Sequence, residues 1–203
     1  MRVGILGTGQ VGQTLAAKLR ELGHDVTIGT RSPRDDAVSF ADAAAGAELV
    51  INATGGTVSL EALAAAGAEN LAGKVLIDVS NALDASQGFP PRLAIGSDDS
   101  VGERIQHAYP ETRVVKTLNT VNVQVMVDPG SVPGDHVLFV AGNDDAAKAQ
   151  VVALLGSFGW PANRVVDLGD ITGARAMEQY LVLWLRLLGQ LGNARFNIAL
   201  HEA

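Results

Sequence analysis

The sequence contains no cysteine, which excludes disulfide bridges and thiolate chemistry. Aromatic residues make up only 4% and charged residues only 18% of the 203 residues, whereas 47% are hydrophobic. This composition favours a large buried core over disorder. No apolar run approaches the roughly 18 residues of a membrane span, and the first residues do not resemble a signal peptide. We therefore expect a cytoplasmic protein without a membrane partner.

Basic residues are also scarce, because 15 Lys and Arg stand against 22 Asp and Glu and give a net charge of −7. An acidic protein of this kind is not expected to bind nucleic acid. No two of the four histidines lie at metal-ligand spacing, so no metal site is predicted. The composition is compatible with a small molecule as the partner.

Short β-branched runs alternate with Ala- and Leu-rich amphipathic stretches along the chain. The predicted strands are residues 2–6, 25–29, 49–53, 75–78, 113–116, 136–141 and 165–168. The predicted helices are residues 11–22, 39–45, 59–66, 101–107 and 144–158. This alternation predicts an α/β fold, namely a Rossmann-type, doubly wound, mainly parallel sheet. The intervening loop 85–100 is long for a compact domain, which suggests a functional or interface role.

The pattern changes near residue 171, so we predict a Rossmann-like domain over residues 1–170 and a C-terminal helical segment over 171–203. The apolar positions of this helix are Tyr180, Leu181, Leu183, Trp184, Leu185, Leu187, Leu188 and Leu191. Its polar strip consists of Arg175, Glu178, Gln179, Arg186 and Gln190. A helix that is apolar over most of its circumference needs cover on two sides. We expect its own sheet on one side and a second subunit on the other, giving a homodimer; a fully buried helix in a monomer is the alternative.

The stretch GILGTGQVG places Gly7, Gly9 and Gly12 in G-x-G-x-x-G spacing between a predicted strand and a predicted helix. In that context the motif indicates a dinucleotide site. Gly7 permits a tight turn, Gly9 lets the backbone approach a pyrophosphate, and Gly12 allows close helix–strand packing. The helix N-terminus offers unpaired amides to the pyrophosphate, and we expect Thr8 and Gln10 to flank the phosphates.

The end of the second strand, in VTIGTRSPRD, lacks the carboxylate that holds the adenosine ribose in NAD-preferring proteins. The chain has Thr30, Arg31 and Ser32 there instead, followed by Arg34. A 2′-phosphate explains this substitution, because it carries close to two negative charges. Arg31 can pair with it bidentately, Thr30 and Ser32 can donate hydrogen bonds, and Arg34 adds a second charge. The sequence thus predicts NADP(H) as cofactor; a solvated basic loop is the alternative.

Small and polar residues follow three further strands, at the edge where ligands bind in such sheets. These candidates are Thr54 and Gly55 in INATGG, Ser80 and Asn81 in IDVSNAL, and Asn119 and Thr120 in VVKTLNTVN. We expect Asn81 and Asn119 to bracket the nicotinamide carboxamide or the second substrate, although turn formation also favours such residues. Lys116 could bind a phosphate or a carboxylate.

No general acid can be assigned, and the catalytic residues therefore stay unknown. The chain lacks the Tyr-x-x-x-Lys pair of short-chain reductases, and ketone reduction needs a proton donor. This favours hydride transfer between two organic ring cofactors, a reaction in which the protein supplies orientation.

Three segments resemble the NADPH-dependent reductases of the deazaflavin coenzyme F420. They are MRVGILGTGQVGQTLAAKLRELGHDVTIGTRSP, VVKTLNTVN and VLFVAGNDDAAKAQV. The resemblance implies that Thr8, Gln10 and Val11 contact the pyrophosphate, and that Thr30 and Arg31 hold the 2′-phosphate. It also implies a dimer in which NADP(H) and F420 meet face to face in a cleft near the C-terminal helices.

The leading hypothesis is an NADP-dependent oxidoreductase of the F420-reductase type, with residues 1–170 as its NADP-binding domain. The first segment is also shared with the reductase domain of metalloreductases, which pass electrons from NADPH to flavin. An NADPH:flavin or imine/quinone reductase is therefore one alternative, and a non-catalytic NADP(H)-sensing protein is another.

Overall fold

The computed structural model describes residues 1–201 and contains one large sheet flanked by helices. The strands are β1 Arg2–Leu6, β2 Asp25–Thr30, β3 Val38–Ser39, β4 Leu49–Asn52, β5 Val75–Asp78, β6 Leu83–Asp84, β7 Arg92–Leu93, β8 Arg113–Thr117, β9 Leu138–Gly142 and β10 Val165–Asp167. The α-helices are α1 Gln10–Glu21, α2 Phe40–Ala45, α3 Ser59–Ala66, α4 Ala68–Leu71, α5 Val101–Ala108, α6 Val123–Val127, α7 Asp145–Ser157 and α8 Ala174–Leu191. Within this part of the chain, none of the helices combines the length and apolar character needed to cross a bilayer.

The large sheet has the strand order β10-β9-β8-β5-β4-β1-β2-β3. All neighbouring strands run parallel except β8 and β9, which are antiparallel. The chain passes from β1 to β2 on one side and returns to β4 on the other. The loops after β1 and β4 thus leave a crevice at the carboxyl edge, where ligands bind in doubly wound sheets. The predicted Rossmann-type, mainly parallel fold is confirmed.

The sheet is covered on both faces because alternate residues of its central strands point to opposite sides. Val3 and Ile5 of β1 belong to a core cluster that includes residues of α1, α6 and α7. Leu6 belongs to the second cluster, with residues of α2, α3 and α5. This two-sided burial explains why these strands read as continuous apolar runs in the sequence.

The predicted elements are all found, and their boundaries differ from the predicted ones by at most three residues. The strand predicted over 136–141 begins at Leu138, because the backbone amide of Val137 donates to the carbonyl of Ile198 in the C-terminal tail. Within the long loop 85–100, the structure places β7, which pairs antiparallel with β6 to form a short hairpin. Two-residue strands leave no periodic signal, so the sequence did not predict them.

Helix α8 follows a 3-10 turn at Ile171–Gly173 and ends at Leu191. The next residue, Gly192, has a φ of 67° and caps the helix in the left-handed conformation. Glu178, a member of the polar strip of this helix, is buried and only 3% exposed. The division of the chain at residue 170 stays a prediction, and residues 202–203 of its second part lie outside the described residues.

Glu178 is buried because it takes part in an ion cluster with Lys116 and Asp78. The Lys116 Nζ lies 2.8 Å from Asp78 Oδ2 and 2.8 Å from Glu178 Oε1, and these side chains are almost inaccessible to solvent. Desolvation on its own would lower the pKa of Lys116, but attraction to Asp78 and Glu178 outweighs it and the pKa is raised. The prediction that Lys116 could bind a phosphate or carboxylate of a ligand is therefore wrong, because this buried lysine is already paired within the protein.

The cluster also joins secondary-structure elements. Glu178 accepts hydrogen bonds from the backbone amides of Val101 (3.0 Å) and Gly102 (3.2 Å), in the first turn of α5. Lys116 donates to the carbonyl of Ser80 at 2.6 Å. Helix α8 is thereby fastened to α5, to β8 and to the residues that follow β5.

We predict that Lys116→Met lowers the free energy of unfolding by about 3–5 kcal/mol, because it leaves two buried carboxylates without their cation. Urea unfolding monitored by circular dichroism measures this loss. Lys18→Met is the control, since Lys18 pairs at the surface with the exposed Glu21 and its loss should cost about 0–1 kcal/mol. Equal stability of the two variants would contradict the role of the cluster.

Candidate functional site

The glycine loop after β1 has the three different environments that its spacing predicts. Gly7 has a φ of +121°, and a Cβ there would lie 2.6 Å from the carbonyl oxygen of Ala53. A Cβ on Gly12 would overlap the carbonyl oxygen of Gly7. A Cβ on Gly9, in contrast, would meet nothing within 4 Å. Gly7 and Gly12 are thus required by packing, whereas Gly9 faces open space.

Gly9 is the N-cap of α1, and its cap has no side-chain hydrogen bond. The first amides of a helix have no intrahelical acceptors, so this end of α1 offers donors to an anion. The open face of Gly9 and these donors fit a pyrophosphate. Both features agree with the role that the sequence predicts for this loop.

A first cavity of about 280 Å³ lies between the glycine loop and the end of β2. Its lining includes five of the predicted residues, namely Gly7, Thr8, Thr30, Arg31 and Thr54. It also includes five residues that the sequence did not single out, namely Phe40, Val58, Glu61, Ala62 and Ala65. The additional residues come from α2, the 3-10 turn before α3, and α3 itself. Phe40, Val58, Ala62 and Ala65 give the cavity an apolar wall suited to an adenine ring, and Glu61 adds a carboxylate to the lining.

Arg31 and Arg34 differ in their charge partners. The Arg34 Nε lies 2.8 Å from Asp36 Oδ1, so its charge is already paired. Arg31 is exposed, and no ion pair joins it to another residue between 1 and 201. Arg31 is therefore the cation that the first cavity presents to an anionic ligand.

A second cavity of about 300 Å³ lies farther along the carboxyl edge. Its lining includes six of the predicted residues, namely Gln10, Val11, Thr54, Ser80, Asn81 and Asn119. Thr54 borders both cavities, so the two adjoin one another. The opposite wall includes Met126, Leu181, Trp184 and Leu185, three of which lie on α8. The three strand ends thus converge on one cavity, as the sequence predicts, and α8 closes it.

Hydrogen bonds fix the strand ends that line the second cavity. The buried Asn52 accepts from the Thr54 hydroxyl at 2.7 Å and donates to Asp78 Oδ1 at 2.8 Å. Asn119 Nδ2 donates to Asn81 Oδ1 at 3.0 Å and to the carbonyl of Met177 at 3.1 Å, and Asn81 Nδ2 donates back to the Asn119 carbonyl. The two asparagines therefore hold each other and fasten α8 to the sheet edge.

None of the side chains that line the second cavity, as the structure describes it over residues 1–201, is ionisable. The lining contains amides, hydroxyls, one indole and aliphatic groups. Leu118, next to Asn119, has a φ of 63°, a backbone conformation that non-glycine residues rarely adopt and that is common near functional sites. A neutral, planar ligand suits such a cavity better than a charged one.

Six of the predicted residues line neither cavity, namely Gly9, Gly12, Ser32, Arg34, Gly55 and Thr120. The Ser32 amide donates to Thr30 Oγ1 at 3.4 Å, which shapes the turn after β2. Thr120 is buried, and its hydroxyl has no hydrogen-bond partner within residues 1–201. The structure therefore places these residues next to the site rather than on its walls.

Comparison with known proteins agrees with this geometry. The family model for NADP oxidoreductases dependent on coenzyme F420 matches residues 2–82. The F420-dependent NADP reductase of Methanocaldococcus jannaschii is 31% identical over 120 residues, which cover 59% of this chain and 52% of that protein. Metalloreductase STEAP3 of Rattus norvegicus is 28% identical over 195 residues, which cover 92% of this chain and 37% of that protein. The chain thus spans about half and about a third of these two relatives.

A solved structure matches over the whole length. It comes from Arthrobacter sp. FB24 and is provisionally described as an F420-dependent NADP-reductase. The two proteins are 52% identical, the match covers 100% of both chains, and the TM-score is 0.95. The chain therefore belongs to the family of coenzyme F420-dependent NADP oxidoreductases, and it is an NADP-dependent oxidoreductase.

Proposed function

We propose that the protein transfers a hydride between NADP(H) and the deazaflavin coenzyme F420. The observation that carries this proposal is the neutral lining of the second cavity. Reduction of a ketone or an imine needs a positioned proton donor, whereas a conjugated ring spreads the charge that a hydride brings. The cavity offers orientation and exclusion of water, which is what transfer between two rings requires.

In this proposal NADP(H) extends across both cavities, and different site residues hold its different parts. Gly9 and the first amides of α1 hold the pyrophosphate, flanked by Thr8, Gln10 and Val11. Arg31 and Thr30 hold the 2′-phosphate, with Ser32 and Arg34 supporting that loop. The backbone at Thr54 and Gly55 supports the ribose and phosphate that follow. Ser80, Asn81, Asn119 and Thr120 position the nicotinamide end.

When bound, NADPH supplies two electrons and one hydrogen nucleus as a hydride to the second ring, and a proton from solvent balances the charge of the reduced product. The protein contributes the walls that hold the two rings in contact. Asn81 and Asn119 form one wall, and Leu181, Trp184 and Leu185 form the other. Reaction in the opposite direction uses the same arrangement.

Two other functions use the same cavities. The similarity to the metalloreductase STEAP3 favours a reductase with an acceptor other than F420. A flavin is one such acceptor, and small imines or quinones are others. An NADP(H)-sensing protein would bind the cofactor without turnover. Each of these functions predicts a different result in the acceptor assay below.

We also propose that the protein is a homodimer through α8. Leu183, Leu187 and Leu191 recur every four residues on this helix, and Leu183 and Leu191 are 53% and 52% exposed. Residues at this spacing share one side of a helix, so they form a continuous apolar strip. A second copy of the chain would cover this strip with its own.

Gly9→Ala and Gly12→Ala separate binding from folding. We predict that Gly9→Ala weakens NADPH and NADH alike by about tenfold or more, because its methyl group occupies the approach of the pyrophosphate. Its free energy of unfolding should fall by at most about 1 kcal/mol. Gly12→Ala must displace the Gly7 carbonyl and should cost about 1–3 kcal/mol or more. Fluorescence titration and urea unfolding measure the two effects, and unaltered binding by Gly9→Ala would remove the dinucleotide from this loop.

Arg31→Gln should weaken NADPH binding about 10- to 100-fold, since each charge-assisted hydrogen bond contributes about 1.5–3 kcal/mol. NADH binding should change little, because NADH lacks the 2′-phosphate. Arg34→Gln is the control and should lose less affinity, since Asp36 already pairs with Arg34. Calorimetric titration with both dinucleotides measures the affinity of each variant for NADPH and for NADH. A wild-type protein that binds NADH at least as tightly as NADPH would contradict the assignment.

We predict that the purified protein oxidises NADPH rapidly with F420 and more slowly or not at all with FMN, FAD or small imines, ketones and quinones. The reason is that the second cavity has no ionisable side chain to supply the proton that reduction of an imine, ketone or quinone requires. Absorbance at the wavelengths of NADPH and F420 follows the reaction. Turnover with flavins alone would establish the flavin reductase, and tight NADPH binding without any turnover would establish the sensor.

A further inference from the structure

A groove of about 510 Å³ lies between α8 and the segment from Gln87 to Leu93, which contains β7 of the β6–β7 hairpin. We call it the hairpin groove; Phe89, Arg92 and Leu93 line it from the hairpin side, and Val182, Leu185 and Arg186 line it from α8. The groove is formed partly by the long loop 85–100, for which the sequence suggests a functional or interface role. Neither cavity of the cofactor site accounts for that loop.

The hairpin groove adjoins the second cavity. Leu185 lines both of them, so the two spaces adjoin at this side chain. Leu83 lines the second cavity, and its partner across the hairpin ladder, Leu93, lines the groove. A ligand whose ring lies in the second cavity can therefore extend a flexible chain into the groove.

The groove is basic although the protein carries a net charge of −7. Arg92 and Arg186 are both exposed, and neither forms an ion pair with another residue in the described part of the chain. Asp84 is the ladder partner of Arg92, but its carboxylate accepts a hydrogen bond from the Ser86 amide at 2.8 Å. Two guanidinium groups at the lining of one groove fit a phosphate or carboxylate ligand.

We infer that the hairpin groove binds the anionic tail of the second substrate, with Arg92 and Arg186 pairing its phosphate or carboxylate groups. The inference rests on the proposed function, because F420 carries a phosphodiester and glutamate carboxylates on the chain attached to its ring. The ribityl phosphate of FMN presents a similar anion. Arg92 and Arg186 thus determine specificity for tailed over tailless ring substrates, while the second cavity receives the ring.

The test compares F420 with its tailless ribityl core, which has the same deazaflavin ring. In Arg92→Gln/Arg186→Gln, we expect the KM for F420 to rise by about tenfold or more, because two charge-assisted contacts are lost. The KM for the tailless core, kcat and the Kd of NADPH should stay within about twofold of wild type. The control is Arg2→Gln/Arg164→Gln, which removes the same charge outside the groove and should leave the KM ratio unchanged.

Several results would overturn the inference. One is an equal change of KM for F420 and its core in the groove variant; another is a groove variant that matches the control. Equal affinity of wild type for F420 and the core, in a fluorescence titration with NADP⁺ present, is a third. An altered molecular mass in light scattering with unchanged tail selectivity would make the groove a contact between subunits and would also overturn it.

The proposed function can fail separately. If wild type turns over FMN and not F420, the choice of acceptor contradicts the F420 reaction but not the groove. The same comparison is then made with FMN and riboflavin, and the expected loss is again confined to the phosphorylated member of the pair. If neither pair shows selectivity for its tailed member, the groove assignment is wrong.

Discussion

The buried cluster of Lys116, Asp78 and Glu178 is the interaction on which the second cavity depends. It joins β5, β8, α5 and α8, which also meet through the β5–β8 ladder and through the ion pair between Arg175 of α8 and Glu103 of α5. Two of these elements lead into the strand ends on one side of the cavity, and α8 forms the other side. Because a buried charge without its partner is costly, the cluster permits little freedom in where α8 lies. The cluster therefore contributes both to the stability of the fold and to the position of α8 beside the cavity.

The charge of the lining residues changes from one end of the carboxyl edge of the sheet to the other. Arg31 provides a cation at the adenosine end, the second cavity is lined by neutral groups, and the proposed hairpin groove presents Arg92 and Arg186. Charge at the two ends would recognise the anionic parts of two molecules, and the neutral centre would leave their rings in contact in a water-poor space. The protein thus separates recognition by charge from the place where we propose that hydride transfer occurs.

The sequence predicted the sheet, the glycine loop and the convergence of three strand ends, because each depends on local spacing or on burial of whole strands. The burial of Glu178 was not predicted. Helical periodicity shows which residues share a face of a helix, but not whether a buried lysine lies opposite one of them. The pairing of Arg34 with Asp36 depends on the shape of a loop, and the hairpin at Arg92 is too short to leave a pattern. Trp184 was assigned to an apolar face, and only the path of α8 across the strand ends brings it to the cavity. The misses at Glu178 and Trp184 concern contacts between distant segments, whereas those at Arg34 and Arg92 concern the detailed shape of loops.

Isotope transfer tests most directly whether the two rings meet in this cavity. NADPH carrying deuterium on one face of its C4 is oxidised by F420, and mass spectrometry locates the label. The account predicts that deuterium from only one face of C4 appears on the carbon of the reduced deazaflavin and is not exchanged with water. Loss of the label to solvent, or its transfer from both faces, would contradict direct passage between two rings held in contact by the strand ends and α8.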